Sequence, residues 1–191
     1  MKRLMALATV GLMACSTMQQ PAALIPTQGG GVALISATVD STDTLGAKAE
    51  ADIRGIDDPG FRARVYASRR DVLRTTSAQS DPNGELAVLD LKPGRYVVAG
   101  AYTTWGGGGG PSVDSNARQA YIPIGREFEV KAGEVVYLGS LGFTLDNNER
   151  ATVRDAWARD ASHLQATRGI RQVDGLVTRL IAPDGTVFLR R

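Results

Sequence analysis

The 191-residue chain has a single cysteine, Cys15, and a single histidine, His163. A lone cysteine closes no internal disulfide, so whatever folds here is held by its apolar core. The same scarcity leaves a metal ion only oxygen ligands, and residues 81–85 (DPNGE) carry just a fragment of a calcium-loop spacing. No metal or cofactor site is expected. Neither charge dominates, with 22 Lys and Arg against 20 Asp and Glu. Nucleic-acid binding needs a basic stripe or patch, and this balance offers none. The apolar run over residues 4–13 is about half of the ~20 residues that cross a bilayer as a helix.

What stands at the N-terminus is a short basic head, Lys2 and Arg3, then that apolar run and small residues, which is the pattern of a secretory signal. Leu12-Met13-Ala14-Cys15 resembles the lipobox of bacterial lipoproteins, although Met13 is larger than the usual residue in its slot. The competing reading is an ordinary cleaved signal with a chance cysteine. The resemblance implies that residues 1–14 are removed, that Cys15 receives a diacylglyceryl thioether and becomes the mature N-terminus, and that it is then N-acylated. Ser16 after the cysteine implies sorting to the outer membrane, on its periplasmic side. One acyl chain binds a membrane marginally, at about 0.8 kcal/mol per buried CH₂, whereas two or more hold stably. Losing Lys2 and Arg3 takes the 22 cations to 20, so the mature chain would balance its 20 carboxylates.

Residues 15–31 contain Pro21, Pro26 and three glycines and are expected to form a flexible tether. Its mean reach would be roughly 20–25 Å. Residues 32–191 fit one domain, and their short strand signals between turns favour an all-β architecture. Residues 32–39 read as a first strand, 41–60 as a long polar loop, and 62–68 as a half-buried strand with Arg62, Arg64 and Tyr66 on its polar face. Around Lys92-Pro93-Gly94, ELAVLDL and RYVVAGAY read as an antiparallel pair, and around Ala132-Gly133 so do REFEVK and EVVYLGSL.

The stretch DPNGELAVLDLKPGRYVV resembles the strand–turn–strand of transthyretin-like and carboxypeptidase-regulatory-like β-sandwiches, and FEVKAGEVVYLG is similar to a closing hairpin of small lipoproteins with such domains. The resemblance covers residues 61–143 and implies an antiparallel β-sandwich. It implies no activity, because sandwiches of this kind host many. Beyond it, Val153, Trp157, Ala161 and Leu164 recur at helical spacing, predicting a helix over 147–168 packed on the sandwich through Trp157. Asp146 with Glu149 gives it a capping-box start and Gly169 a stop. Residues 176–191, with Asp184-Gly185 between apolar runs, suggest a short terminal hairpin.

Catalytic signals are sparse. His163 follows Asp160 by three positions, but no nucleophile stands in a recognisable motif, and the pair reads as a solvated helical face. Residues 106–110 are five glycines lacking the Lys and Ser/Thr of a phosphate loop. The loop they belong to is long for a compact sandwich. Either Tyr102 and Trp105 contact a partner there, or Trp105 folds back onto the sheet edge. The expectation is a lipid-anchored, non-enzymatic binding or structural module facing an envelope protein or polymer, with no small-molecule substrate. The alternatives are a subunit of a secretion or envelope-spanning complex, and a hydrolase using carboxylates such as Asp155 and Asp160.

Overall fold

The computed structural model describes residues 23–43, 46–74, 82–106, 117–146 and 148–190. Cys15, the expected signal segment and most of the five-glycine stretch lie outside them. Among the described residues the chain is mainly β, with ten strands and one helix. These are β1 (Gly31–Asp40), β2 (Lys48–Gly55), β3 (Arg62–Ser68), β4 (Gly84–Leu91), β5 (Gly94–Trp105), β6 (Arg118–Val130), β7 (Val135–Thr144), β8 (Arg150–Arg154), α1 (Trp157–Arg168), β9 (Leu176–Thr178) and β10 (Val187–Leu189).

The strands form two open sheets. One runs β10-β8-β7-β1-β4, with β9 also on β7; the other runs β3-β2-β5-β6. Side chains alternate along each strand, and one alternate set from both sheets meets in a shared core. Ala33 and Ile35 of β1, Ala51 and Ile53 of β2, Val98 of β5, Ile122 of β6 and Leu141 of β7 all belong to it. A second, smaller cluster lies on the other side of the first sheet, where Val32, Leu34 and Tyr137 meet Leu164 of α1. The strands β1 and β7 are therefore covered on both faces and read as near-continuous apolar runs.

Several expectations are corrected here. The segment expected as a loop over 41–60 contains β2, whose inward residues are Ala49, Ala51 and Ile53. Two of these three are only alanines, so the alternation carries little apolar weight. The two expected hairpins are connections between sheets: β4 pairs with β1 while β5 pairs with β2 and β6. Likewise β6 stays in the second sheet, and β7 pairs parallel with β1. The first sheet is thus mixed, with a second parallel pair between β7 and β9, instead of wholly antiparallel.

The helix is shorter than expected. Residues 150–154 form β8, where Val153 pairs with Leu141 as a core residue of a strand. Asp146 caps nothing helical: it takes a left-handed φ of 82°, and its carboxylate accepts from the Ser41 hydroxyl at 2.7 Å and the Thr42 amide at 2.9 Å. Gly169 does stop the helix, with φ 66° and its amide on the Gln165 carbonyl. No terminal hairpin forms, because β9 joins β7 and β10 joins β8. Part of the expected tether is also docked: Ala23 bridges Gln172, and Leu24 packs on the cluster beneath the helix.

Candidate binding face

The helix covers one sheet, and the outer face of the other carries the exposed aromatics. Register lines up one row across all four of its strands: Tyr66 of β3 opposes Glu50 of β2, Glu50 opposes Tyr102 of β5, and Tyr102 opposes Tyr121 of β6. Tyr102 is 55% exposed, with Tyr66 and Tyr121 somewhat less so. Their outward direction follows from parity. Val65, Ala101 and Ile122, each next to a tyrosine in sequence, are core residues.

Two of the three rings are in contact. Tyr102 and Tyr121 lie 4.9 Å apart, centre to centre, with ring planes inclined by 50°. Tyr121 is held by its hydroxyl, which donates to the Ala99 carbonyl at 3.3 Å, and by a glycine beneath it. A Cβ at Gly100 would run into the Tyr121 ring and hydroxyl. Beside these rings Thr103, Thr104, Gln119 and Ala120 complete the lining of a shallow groove of about 320 Å³.

Charges frame the row. Arg64 donates to Glu50 at 3.1 Å, Lys48 lies 3.6 Å from the same carboxylate, and Arg54 donates from Nε to Asp52 at 2.7 Å. The pairs on Glu50 are part-exposed and contribute little to stability, typically under about 1 kcal/mol, whereas the Asp52 carboxylate that holds Arg54 is itself buried.

The sequence-derived site residues separate. Tyr102 lies on the face, but Trp105 does not: it is 3% exposed and packs in the core between the sheets. Of the two readings of Trp105, a partner contact and a fold-back onto the sheet edge, the partner contact is the one corrected: β5 continues through Trp105, pairing it with Arg118, and its parity points it into the core. Gly106 donates its amide to Asp43 at 2.6 Å, and residues 107–116 lie outside the described set. Tyr66 and Tyr121 are site residues that sequence patterning does not single out. Their one signal is outward parity, which matters only once the three strands are known to be neighbours.

Asp160 is also not on a solvated face. It is fully buried under α1, where Oδ2 accepts from the Ser36 and Tyr137 hydroxyls, both at 2.7 Å, and Oδ1 accepts from Arg159 Nε at 2.8 Å. Arg159 Nη2 continues the network to Ser36 at 2.7 Å and Ser140 at 2.9 Å. Burial above all, then the Asp160 charge and hydrogen bond, raises the Tyr137 phenol far above its ordinary value, so it remains a donor. The cluster fastens the helix to β1 and β7. Asp155 is separate and exposed, accepting from the Trp157 amide at the start of the helix.

His163 lines a different cleft with Arg70, Arg74 and Glu85. Burial lowers its imidazole from the ordinary 6.5, partly opposed by a backbone contact to Arg74. The unfolded chain then binds the proton more readily, so this contribution to stability is complete above pH 6.5 and is lost as pH falls towards the lower folded value. His163→Gln is expected to flatten that loss. Urea midpoints at about pH 7.5 and 5.5 test this: wild type should lose more than the variant, and equal losses would count against it. Glu85, raised mainly by burial and next by Asp71, runs the other way and is common to both proteins.

Among the described residues, no three His, Cys, Asp or Glu side chains form a group that could hold a metal ion, and no helix is long and apolar enough to cross a membrane. Fold and face together define a mainly β chain of two open sheets, one backed by a helix and the other presenting a tyrosine row. No family model and no curated protein matches the chain. Among solved structures, a leucine-rich repeat protein from Bacteroides thetaiotaomicron aligns over 65% of this chain and 13% of its own, at 15% identity and a TM-score of 0.31. The chain thus spans about an eighth of that protein's length, a likeness too slight to carry an argument.

Proposed function

We propose that this chain is a lipid-anchored protein of the bacterial cell envelope, a non-enzymatic binding module built on a transthyretin-like β-sandwich. The single observation that carries the binding role is the row Tyr66–Glu50–Tyr102–Tyr121 on an uncovered sheet face. Aromatic side chains with a polar tip supply large contact area at low entropic cost, and they are enriched where proteins meet partners. The lipobox-like run ending at Cys15 supports anchoring at the outer membrane, and a net charge near zero after loss of the signal leaves recognition to local features of the face.

Two measurements on cells test the reading separately. Cys15→Ser should abolish acyl-chain labelling and release the protein from membranes; a labelled, membrane-bound variant would refute the anchor. A photoreactive residue in place of Tyr102 should crosslink a discrete envelope component, whereas the same residue in place of the exposed Gln165 on α1 should not. Identical crosslinking patterns from the two positions would refute the binding face.

A further inference from the structure

We infer that the helix-covered side of the domain, around the point where the chain enters the fold at Ala23, rests against the headgroups of the bilayer that holds Cys15. The tyrosine face is then turned away from the membrane. The inference rests on the anchor reading and deepens it by giving the anchored domain an orientation.

Chain length sets the first constraint. Leu24 packs beneath the helix and Ala23 bridges Gln172, just past the end of α1, so the chain enters on the helix side of the first sheet. Ala23 stands eight residues after Cys15. Fully extended, eight residues span at most about 29 Å. Packed layers lie about 10 Å apart. With the tyrosine face against the membrane, Ala23 would be two layers, roughly 20 Å, above it. The outward side chains and a detour round the sheet edges would have to fit in what remains. With the helix side against the membrane, the same chain reaches with length to spare.

The surface at the entry point suits lipid headgroups. Ile25 is 75% exposed, the most of any large hydrophobic residue among those described. Leu24 packs inward, so Ile25 points out, where the outer zone of a bilayer would take its side chain. Arg171, next to Gln172, and Arg168, in the last turn of α1, are both exposed. A guanidinium matches a lipid phosphate in fork geometry, and its aliphatic stem lies along apolar surface. Asp174 on the same segment and Glu85 near Arg168 offset part of the positive charge. Pairing with individual phosphates needs no large net charge, and the tether makes the contact intramolecular, so a few weak interactions suffice.

The test uses the acylated full-length protein in vesicles of phosphatidylethanolamine and phosphatidylglycerol. Cys15 is the chain's one cysteine, so once it is acylated an introduced cysteine is the only thiol to label. A fluorophore on Gln172→Cys should be quenched by headgroup-spin-labelled lipid severalfold more than one on Gln119→Cys beside the tyrosines. Iodide in the water should quench the two in the opposite order. Adding Ile25→Ser, Arg168→Gln and Arg171→Gln should cut lipid quenching at position 172 severalfold while the protein still floats with the vesicles. Unchanged quenching in that variant would overturn the contact, leaving tether length alone to place this side. Equal lipid quenching at positions 172 and 119 on floating protein would overturn the orientation and leave the anchor standing. Protein that fails to float with vesicles would overturn both.

Discussion

Replacing Asp160 with alanine is expected to destabilise the protein by about 3–5 kcal/mol, the range for breaking a buried ion pair by removing one partner. The size follows from what is left behind. Ser36 and Tyr137 lose their acceptor, and the Arg159 guanidinium loses its counter-charge while still held against Ser36 and Ser140 beneath the helix. Against a total stability of roughly 5–15 kcal/mol, that is a large fraction. Asp160→Asn keeps the shape and an acceptor oxygen but not the charge, and should fall between wild type and alanine. Urea unfolding at pH 7 provides the measurement. Near-ultraviolet circular dichroism should report loosening of the Tyr137–Trp157 contact, whose rings lie 5.1 Å apart. A loss under about 1 kcal/mol for the alanine variant would mean that solvent reaches the cluster and repairs it.

The second large effect separates the two tryptophans. Trp105→Ala should cost about 3–5 kcal/mol, because it removes a nearly fully buried indole from the core between the sheets. Trp157 is only half-buried, beside Tyr137 on the flank of the helix. Its removal should cost less, roughly 1–3 kcal/mol. This ranking reverses the expectation from helical spacing, which made Trp157 the main anchor. Trp105→Phe is expected to be milder than alanine, since it keeps most of the packing and deletes an indole N–H that has no partner among the described residues. Denaturation midpoints of the three variants decide the order. A Trp157→Ala variant as damaged as Trp105→Ala would contradict the burial difference.

Where apolar and polar side chains alternate strongly, strand identity and facing are legible in the amino-acid sequence itself; β2, whose inward side chains are mostly alanine, and β8, whose apolar spacing also suits a helix, are not. Over 62–68 the alternation of Arg62, Arg64 and Tyr66 with Ala63, Val65 and Ala67 is what β3 shows, since parity is a property of the strand itself. Gly169 ends the helix for an equally local reason, its freedom to take a positive φ. Ser36 and Ser140, polar residues inside otherwise apolar runs, are the one trace that the Asp160 network leaves in the strand sequences. Nothing in their spacing points to a carboxylate more than a hundred residues from Ser36.

Pairing is another matter. The turn at Lys92-Pro93-Gly94 reverses the chain whether its two arms bond to each other or to strands in separate sheets, and the same holds at Ala132-Gly133. In this fold ELAVLDL joins β1 and RYVVAGAY joins β2 and β6, because each sheet buries one face of its strands against the other sheet. That arrangement also turns Trp105 inward and sets Tyr66, Tyr102 and Tyr121 in a single row. Parity depends on adjacent residues, but a row across a sheet depends on which distant strands bury apolar surface together, and no local spacing encodes that choice.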